Sequence, residues 1–333
     1  MLPTVLAKCT TARSLDRMSF AAAFLTNLVR VSMRRMRRGP RHPAWGKRLE
    51  ATVETLRADG DAKLAGSLAS WRASQEAAAA NVPMARGVRE SVARCAGREA
   101  LVLRPTGPAR GTFLYLHGGG YATGSPRTHR ALVSRLVAAT GAAAWVLDYR
   151  LAPEHPFPAA IDDATAALSE LGERGPTFVA GDSAGGGLAL AAMCRLRDAG
   201  APLPRFAVLL CPWVDLGGTH PSIEENLPYD WGDRRTLDFY REQYGADPMH
   251  PLASPIHASL SGLPPLFVQS GDAELLRDEC RRLADNARRD GVEVAHREWP
   301  GMVHDFQIFA PVVPESRAAI AEIGAWVRPR LAR

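Results

Sequence analysis

The sequence predicts an α/β protein with a mainly parallel sheet covered by helices on both faces. Three observations carry this. From about residue 98 onward, short apolar runs rich in β-formers alternate with helix-forming runs as far as the C terminus. The β-rich runs end in Gly, Asp, Ser or Pro, as strands feeding short turns do. The 333 residues are 46% hydrophobic and 23% charged, which is enough apolar material for one large domain with an appended piece.

Taken in order, residues 18–95 read as helices. The stretch 45–80 is rich in Ala, Leu, Glu, Lys and Arg and holds no β-rich run. Its forerunner "MSFAAAFLTNLVRV" (18–31) is too short to span a bilayer, is interrupted by Asn27 and lacks a signal-peptide cleavage site. It reads as an amphipathic helix. Residues 1–17 read as weakly structured, with Met18 a candidate start. Strands are expected at 99–105, 111–120, 142–150, 177–183, 206–214, 265–272 and 292–300. Helices are expected at 127–140, 158–171, 184–200, 274–291 and 314–331. The alternation breaks once. Residues 215–245 form a helical insertion rich in aromatics: Tyr229, Trp231, Phe239, Tyr240 and Tyr244.

The net charge of +6 is unevenly spread, with a dense Arg/Lys run free of acids at 30–48. This reads as a solvated basic face, the sharper alternative being an anionic membrane surface. No recognition motif accompanies it, so a nucleic-acid partner is not expected. Stable membrane insertion is not expected either. The five cysteines (Cys9, Cys95, Cys194, Cys211, Cys280) are odd in number and widely spaced, without metal-ligand spacing. They read as reduced, mostly buried thiols of a cytoplasmic protein, and neither metal nor organic cofactor is expected.

The chemistry starts from "GDSAG" (181–185), a G-x-S-x-G between a strand and a helix. In that setting Ser183 occupies a strained turn that exposes its hydroxyl, and the glycines avoid clashes where strand and helix converge. A plain Gly/Ser turn would show the same five residues, so the partners decide. A serine hydroxyl needs a base, and the base needs an orienting acid, in the chain order Ser, acid, His. Of nine histidines only His304 falls in a loop between the last strand and the last helix. The loop after strand 265–272 offers two acids, Asp272 and Glu274, while Asp278 and Glu279 belong to the first turns of the following helix, where they complement its dipole. "HGGG" (117–120) ends a strand and can aim Gly118, Gly119 and Gly120 amides into one small volume, with the Ala184 amide as a further donor. A phosphate cradle would require a P-loop Lys-Ser/Thr ending or a dinucleotide pattern, and both are lacking.

Together "HGGGYATGS", "DYRLAPEHPFPAA", "GDSAGGGLAL" and "WPGMVHDF" resemble the hormone-sensitive-lipase-like bacterial carboxylesterases of the α/β-hydrolase family, over roughly residues 98–325. The resemblance implies an α/β-hydrolase fold with eight strands and a helical cap. The cap would comprise the 1–95 segment and an insertion at about 213–248, with the catalytic domain at 96–333. It implies Ser183 as nucleophile, His304 as base, and Gly118, Gly119, Gly120 and Ala184 as the oxyanion hole. Aligning the family's terminal Asp-Glu with Asp278–Glu279 makes Glu274 the acid, with Asp272 its competitor because the family usually has Asp. Asp148, Arg150 and Glu154 are expected as structural ion-pair partners. Tyr121, Asp182 and Trp213 are expected to contact substrate, with Met84 adding to an apolar pocket. The implied activity is hydrolysis of small to medium apolar esters through an acyl-enzyme, on a small-molecule substrate. Lactones or amides would use the same machinery, and a non-catalytic hydrolase-fold binder is the alternative from another class. Homodimerisation through the last strand or last helix is a further implication.

Overall fold

Eight strands form one sheet in the order β1-β2-β4-β3-β5-β6-β7-β8. They are β1 (Val88–Cys95), β2 (Arg98–Pro105), β3 (Thr112–Leu116), β4 (Ala143–Leu147), β5 (Thr177–Asp182), β6 (Ala207–Leu210), β7 (Leu266–Gly271) and β8 (Val294–Trp299). β1 pairs antiparallel with β2, and β2 with β4; every other pairing is parallel. A computed structural model of the chain describes residues 20–175 and 177–332. The expectations for residues 1–17, for Met18 and for Cys9 lie outside the described residues.

The central strands are buried on both faces, so they read as unbroken apolar runs. Successive residues of β5 point to opposite sides. Val179 packs toward α5 (Ala159–Glu173), α6 (Ala184–Asp198) and α9 (Arg277–Arg289). Phe178 and Ala180 pack toward α4 (Pro126–Thr140) and α10 (Pro314–Leu331). The elbow and the oxyanion-loop motif therefore leave the same, carboxyl-terminal edge of adjacent strands, where open α/β sheets place their ligands.

One element departs from expectation. Residues 88–95 are not helical but form edge strand β1, paired in full register with β2. Ala96 (φ 47°) and Gly97 (φ 76°) make the two-residue hairpin turn between them. The strand is mostly exposed and carries Arg89, Glu90, Ser91 and Arg94, so its sequence has little β signal; pairing with β2 decides it. The sheet thus begins at Val88, inside the stretch expected to be cap.

The remaining N-terminal residues form α1 (Phe20–Arg38), α2 (Lys47–Leu64) and α3 (Leu68–Ala80), and the insertion forms α7 (Pro221–Glu225) and α8 (Arg234–Tyr244). α3 and α8 meet through Trp71, stacked on Phe239 at 5.4 Å and tilted against Tyr240 at 5.2 Å. α2 and Trp45 just before it pack through Trp45, Leu49 and Val53 on Ala273, Met302, Val303 and Phe306, in the segments after β7 and β8. Cys95, Cys194, Cys211 and Cys280 are buried free thiols. No helix among the described residues is long and apolar enough to cross a membrane.

Candidate active site

Ser183 sits between the last residue of β5 and the first of α6, with φ 50° and ψ −122°. A non-glycine residue pays strain in this conformation, so the surroundings must hold it there. Its N–H donates to Leu210 (2.8 Å), and its carbonyl accepts from Gly186, Gly187 and Trp213. The bend also brings Gly185 against β3: a Cβ on it would lie 2.0 Å from the Leu116 carbonyl oxygen. No side chain fits there, which is the reason for glycine two residues past the serine.

His304 stands in the loop after β8. Its Nε2 lies 2.9 Å from Ser183 Oγ and its Nδ1 lies 3.0 Å from Glu274 Oε2. Glu274 is fully buried, and its other oxygen accepts the Gly271 N–H at 3.1 Å. Helix α9 begins only at Arg277, so Glu274 lies in the preceding loop and can reach the imidazole. Asp272 does not approach the imidazole; its Oδ1 accepts from the Gly301 amide at 2.5 Å. Asp278 and Glu279 do lie in the first turn of α9, but they also take the N–H groups of Ser222 (3.0 Å) and Val214 (3.1 Å).

Residues with no sequence signal fix this geometry. Asp230, from the insertion, accepts the His304 N–H on Oδ1 (3.1 Å) and the Leu275 N–H on Oδ2 (2.8 Å). One buried carboxylate thereby ties the His304 loop to the Glu274 loop; burial pushes its pKa up to about 6. The neighbouring Trp231 indole donates to the His304 carbonyl at 2.7 Å. Asn226 donates to the carbonyls of Glu274 (2.7 Å) and Asp272 (3.1 Å).

Asp305 is the exception, since it directly follows the base in "HDF" and could have been singled out. Its Oδ2 lies 3.3 Å from His304 Nε2. Burial opposes charge on His304, but Asp305, Glu274 and Asp230 outweigh it and raise its pKa from 6.5 to about 10. Burial in turn pushes Asp305 well above the usual carboxylate range, with His304 opposing. The two groups are coupled through this contact: negative charge on Asp305 favours the imidazolium, and its absence favours the neutral imidazole.

Beneath the serine, Asp182 accepts from Tyr115 Oη (2.6 Å) and lies 3.1 Å from His129 Nε2. Burial disfavours its charge, yet His129 and Tyr115 hold its pKa below the ordinary value. A Cβ on Gly118 would lie 2.3 Å from Asp182 Oδ2, so this carboxylate underpins the glycine loop. Gly119 has φ +116°, and its carbonyl accepts from Ala122 (3.1 Å) and Thr123 (2.8 Å). Among the described residues, the amides of Gly118, Gly119, Gly120 and Ala184 donate to no backbone carbonyl outside regular helices and strands. Burial pulls His117 down to about 3, so its neutral ring can donate from Nδ1 to Gly118 O (2.8 Å).

Tyr121, Asp182 and Trp213, the residues expected to touch substrate, are each engaged by neighbouring groups. Tyr121 is stacked on Tyr244 at 3.9 Å, Trp213 donates to the Asp215 carbonyl at 3.1 Å, and Asp182 is engaged as above. All three are almost fully buried. Met84 packs into the α4–α10 side of the sheet, away from the cap aromatics. Of the expected ion pairs, Arg150 holds Asp163 (2.7 Å), and Glu154 holds Arg72 of α3 (2.8 Å). Asp148 instead offers its carbonyl to Arg98 at 3.0 Å.

Comparison with known proteins agrees with the fold. The family described as alpha/beta hydrolase fold matches residues 113–308. An acetyl-hydrolase of Streptomyces hygroscopicus is 48% identical over 236 residues, covering 68% of this chain and 78% of that protein. A carboxylesterase of Mycobacterium tuberculosis is 37% identical over 221 residues, covering 62% and 69%. A crystal structure of an esterase from the bacterial hormone-sensitive lipase family superposes with a TM-score of 0.81 at 37% identity, covering 86% of this chain and 99% of that one. Among these relatives the chain has its place: it belongs to the α/β-hydrolase family, in the bacterial hormone-sensitive-lipase-like branch of carboxylesterases.

Proposed function

We propose that the protein is a serine carboxylester hydrolase for small-molecule esters with short acyl groups, working through Ser183, His304 and Glu274. The observation that carries this reading is the unbroken hydrogen-bond run from Ser183 Oγ through both imidazole nitrogens to the buried Glu274 carboxylate. His304 Nε2 takes the hydroxyl proton as Oγ bonds to the ester carbonyl carbon. Glu274 fixes the tautomer and stabilises the imidazolium. The Gly118–Gly120 loop and the Ala184 amide face the developing oxyanion; each such donor is worth about 3–4 kcal/mol in the transition state. The C–O bond to the alcohol then breaks, and the alcohol leaves with the proton from Nε2. Water, deprotonated by the same nitrogen, releases the acid and restores Ser183.

The short acyl preference is supported by Tyr240. Its ring packs where a Gly120 Cβ would point, 2.1 Å from Cγ, and closes the space over the glycine loop. The acetyl-hydrolase name of one relative points the same way. The test is hydrolysis of p-nitrophenyl esters of increasing acyl length. Wild type is expected to turn over acetate and butyrate best, and Ser183→Ala and His304→Ala to lose on the order of 10⁴–10⁶ in kcat. Equal rates in wild type and Ser183→Ala would overturn the reading.

A further inference from the structure

Helix α1 has two unlike sides. One side is anchored on α2: Val31 is buried, Asn27 donates to Thr55 at 3.0 Å, Arg34 pairs with Glu50 and Glu54, and Arg35 with Glu50. The other side carries Leu25, Val29, Met33 and Met36, with 61%, 59%, 53% and 80% of their surfaces exposed. Their spacing puts them within an arc of about 80° on the helix. They are four of the seven exposed large hydrophobic side chains among the described residues. An aligned apolar stripe of this kind marks an interaction surface.

The charges beside the stripe say what covers it. Arg30, Arg37 and Arg38 are exposed on the same helix, and Lys47 and Arg48 follow at the start of α2. No Asp or Glu occurs between residues 18 and 49. A second copy docked face to face would set these arginines against their own counterparts. A nucleic acid would satisfy the arginines but leave the stripe in water. A lipid surface bearing phosphate satisfies both. We propose that the outer face of α1 docks this protein on anionic membranes, with Leu25, Val29, Met33 and Met36 in the headgroup–acyl boundary and Arg30 and Arg37, on one flank of the stripe, on lipid phosphates. The helix lies in the interface plane and does not cross it. This binding is independent of the reaction at Ser183.

Flotation of the full chain with vesicles tests it. The protein is expected to float with phosphatidylglycerol vesicles at low salt, to be released by about 0.5 M salt, and to stay down with phosphatidylcholine alone. Arg30→Glu/Arg37→Glu is expected to weaken binding by roughly thirtyfold or more. Leu25→Glu/Val29→Glu/Met36→Glu should abolish it. These side chains face solvent, so both variants should keep the wild-type circular dichroism and ester hydrolysis, and Ser183→Ala should float like wild type. No flotation, equal flotation with neutral vesicles, or unchanged flotation of either variant overturns the proposal. So does a wild-type dimer that the Leu25→Glu/Val29→Glu/Met36→Glu change makes monomeric, or duplex DNA binding lost in the arginine variant while vesicles stay unbound.

Discussion

Oδ2 of Asp305 lies 3.3 Å from Nε2 of His304, the nitrogen that also faces Ser183 Oγ at 2.9 Å. A carboxylate in that place favours the imidazolium, whereas the base must be neutral to take the serine proton. The position is held against cost. Asp305 has φ 50° and is buried, and its Oδ1 has no hydrogen-bond partner among the described residues. The direction of the effect follows. A raised His304 pKa moves the ascending limb of the pH–rate profile upward, and removing the Asp305 charge moves it down. Asp305→Asn is expected to lower the midpoint of kcat/KM by about 1–3 pH units and to leave proportionally more activity at acidic pH. A profile with an unmoved midpoint would show that Asp305 stays neutral throughout the cycle.

Glu274 and Asp272 leave the same loop with different engagements. Glu274 meets the imidazole at 3.0 Å, whereas Asp272 accepts from the Gly301 amide. Glu274→Gln keeps the shape and removes the charge, so the imidazole loses its preferred tautomer. The expected loss in kcat is on the order of 10³–10⁴, with little change in KM. Asp272→Asn should cost less than about tenfold and act by loosening the turn at Gly301. Steady-state kinetics of the two variants side by side decide the matter, and a larger loss for Asp272→Asn would reverse the assignment of the acid.

Asp230 holds the backbone of both catalytic loops rather than any reacting atom, at 3.1 Å from the His304 N–H and 2.8 Å from the Leu275 N–H. Asp230→Ala leaves three donors, the N–H groups of Trp231, His304 and Leu275, without this acceptor, at a cost of about 1–3 kcal/mol for each one left unpaired. The expected result is a lower melting temperature together with a loss of kcat of roughly tenfold or more. Asp230→Asn keeps one acceptor and should restore part of both. Rescue of stability without rescue of kcat would mean that the charge, not the tether, is what the base requires.

How far this site was legible depended on whether a residue announces itself locally. Ser183 did, because a strained strand-to-helix bend requires glycine at residue 185, and that demand is written in the pattern. His304 did through its place between the last strand and helix. Glu274 was separable from Asp272 only by the resemblance, since both acids precede α9 and the side-chain direction that divides them is a tertiary fact. Asp230, Asn226 and Arg72 gave no signal at all. Each binds backbone groups far away in sequence, as when Arg72 donates to the carbonyls of Ala122 and Ala152 at 2.8 Å. The sheet was legible where strands are buried on both faces and failed at β1, whose exposed polar residues hide an edge strand. Tyr121 and Trp213 lie close to the motifs in sequence, and their rings are buried in the core cluster that includes Ala184.

Tyr240 makes the substrate reading testable apart from the chemistry. Its ring lies over Gly120 and its hydroxyl is 3.0 Å from Thr123 Oγ1, so α8 packs on the glycine loop through this side chain. Removing the ring opens space beside the oxyanion amides without touching Ser183, His304 or Glu274. Tyr240→Ala is therefore expected to raise the ratio of kcat/KM for p-nitrophenyl octanoate over acetate by roughly tenfold or more, since each methylene accommodated is worth about 1–3 kcal/mol. Tyr240→Phe removes only the hydroxyl and should leave the ratio near wild type. If both variants lose activity on every ester in parallel, the ring holds the oxyanion loop in place and does not limit acyl length. If only the octanoate rate rises, steric closure by α8 is what sets the preference for short acyl groups.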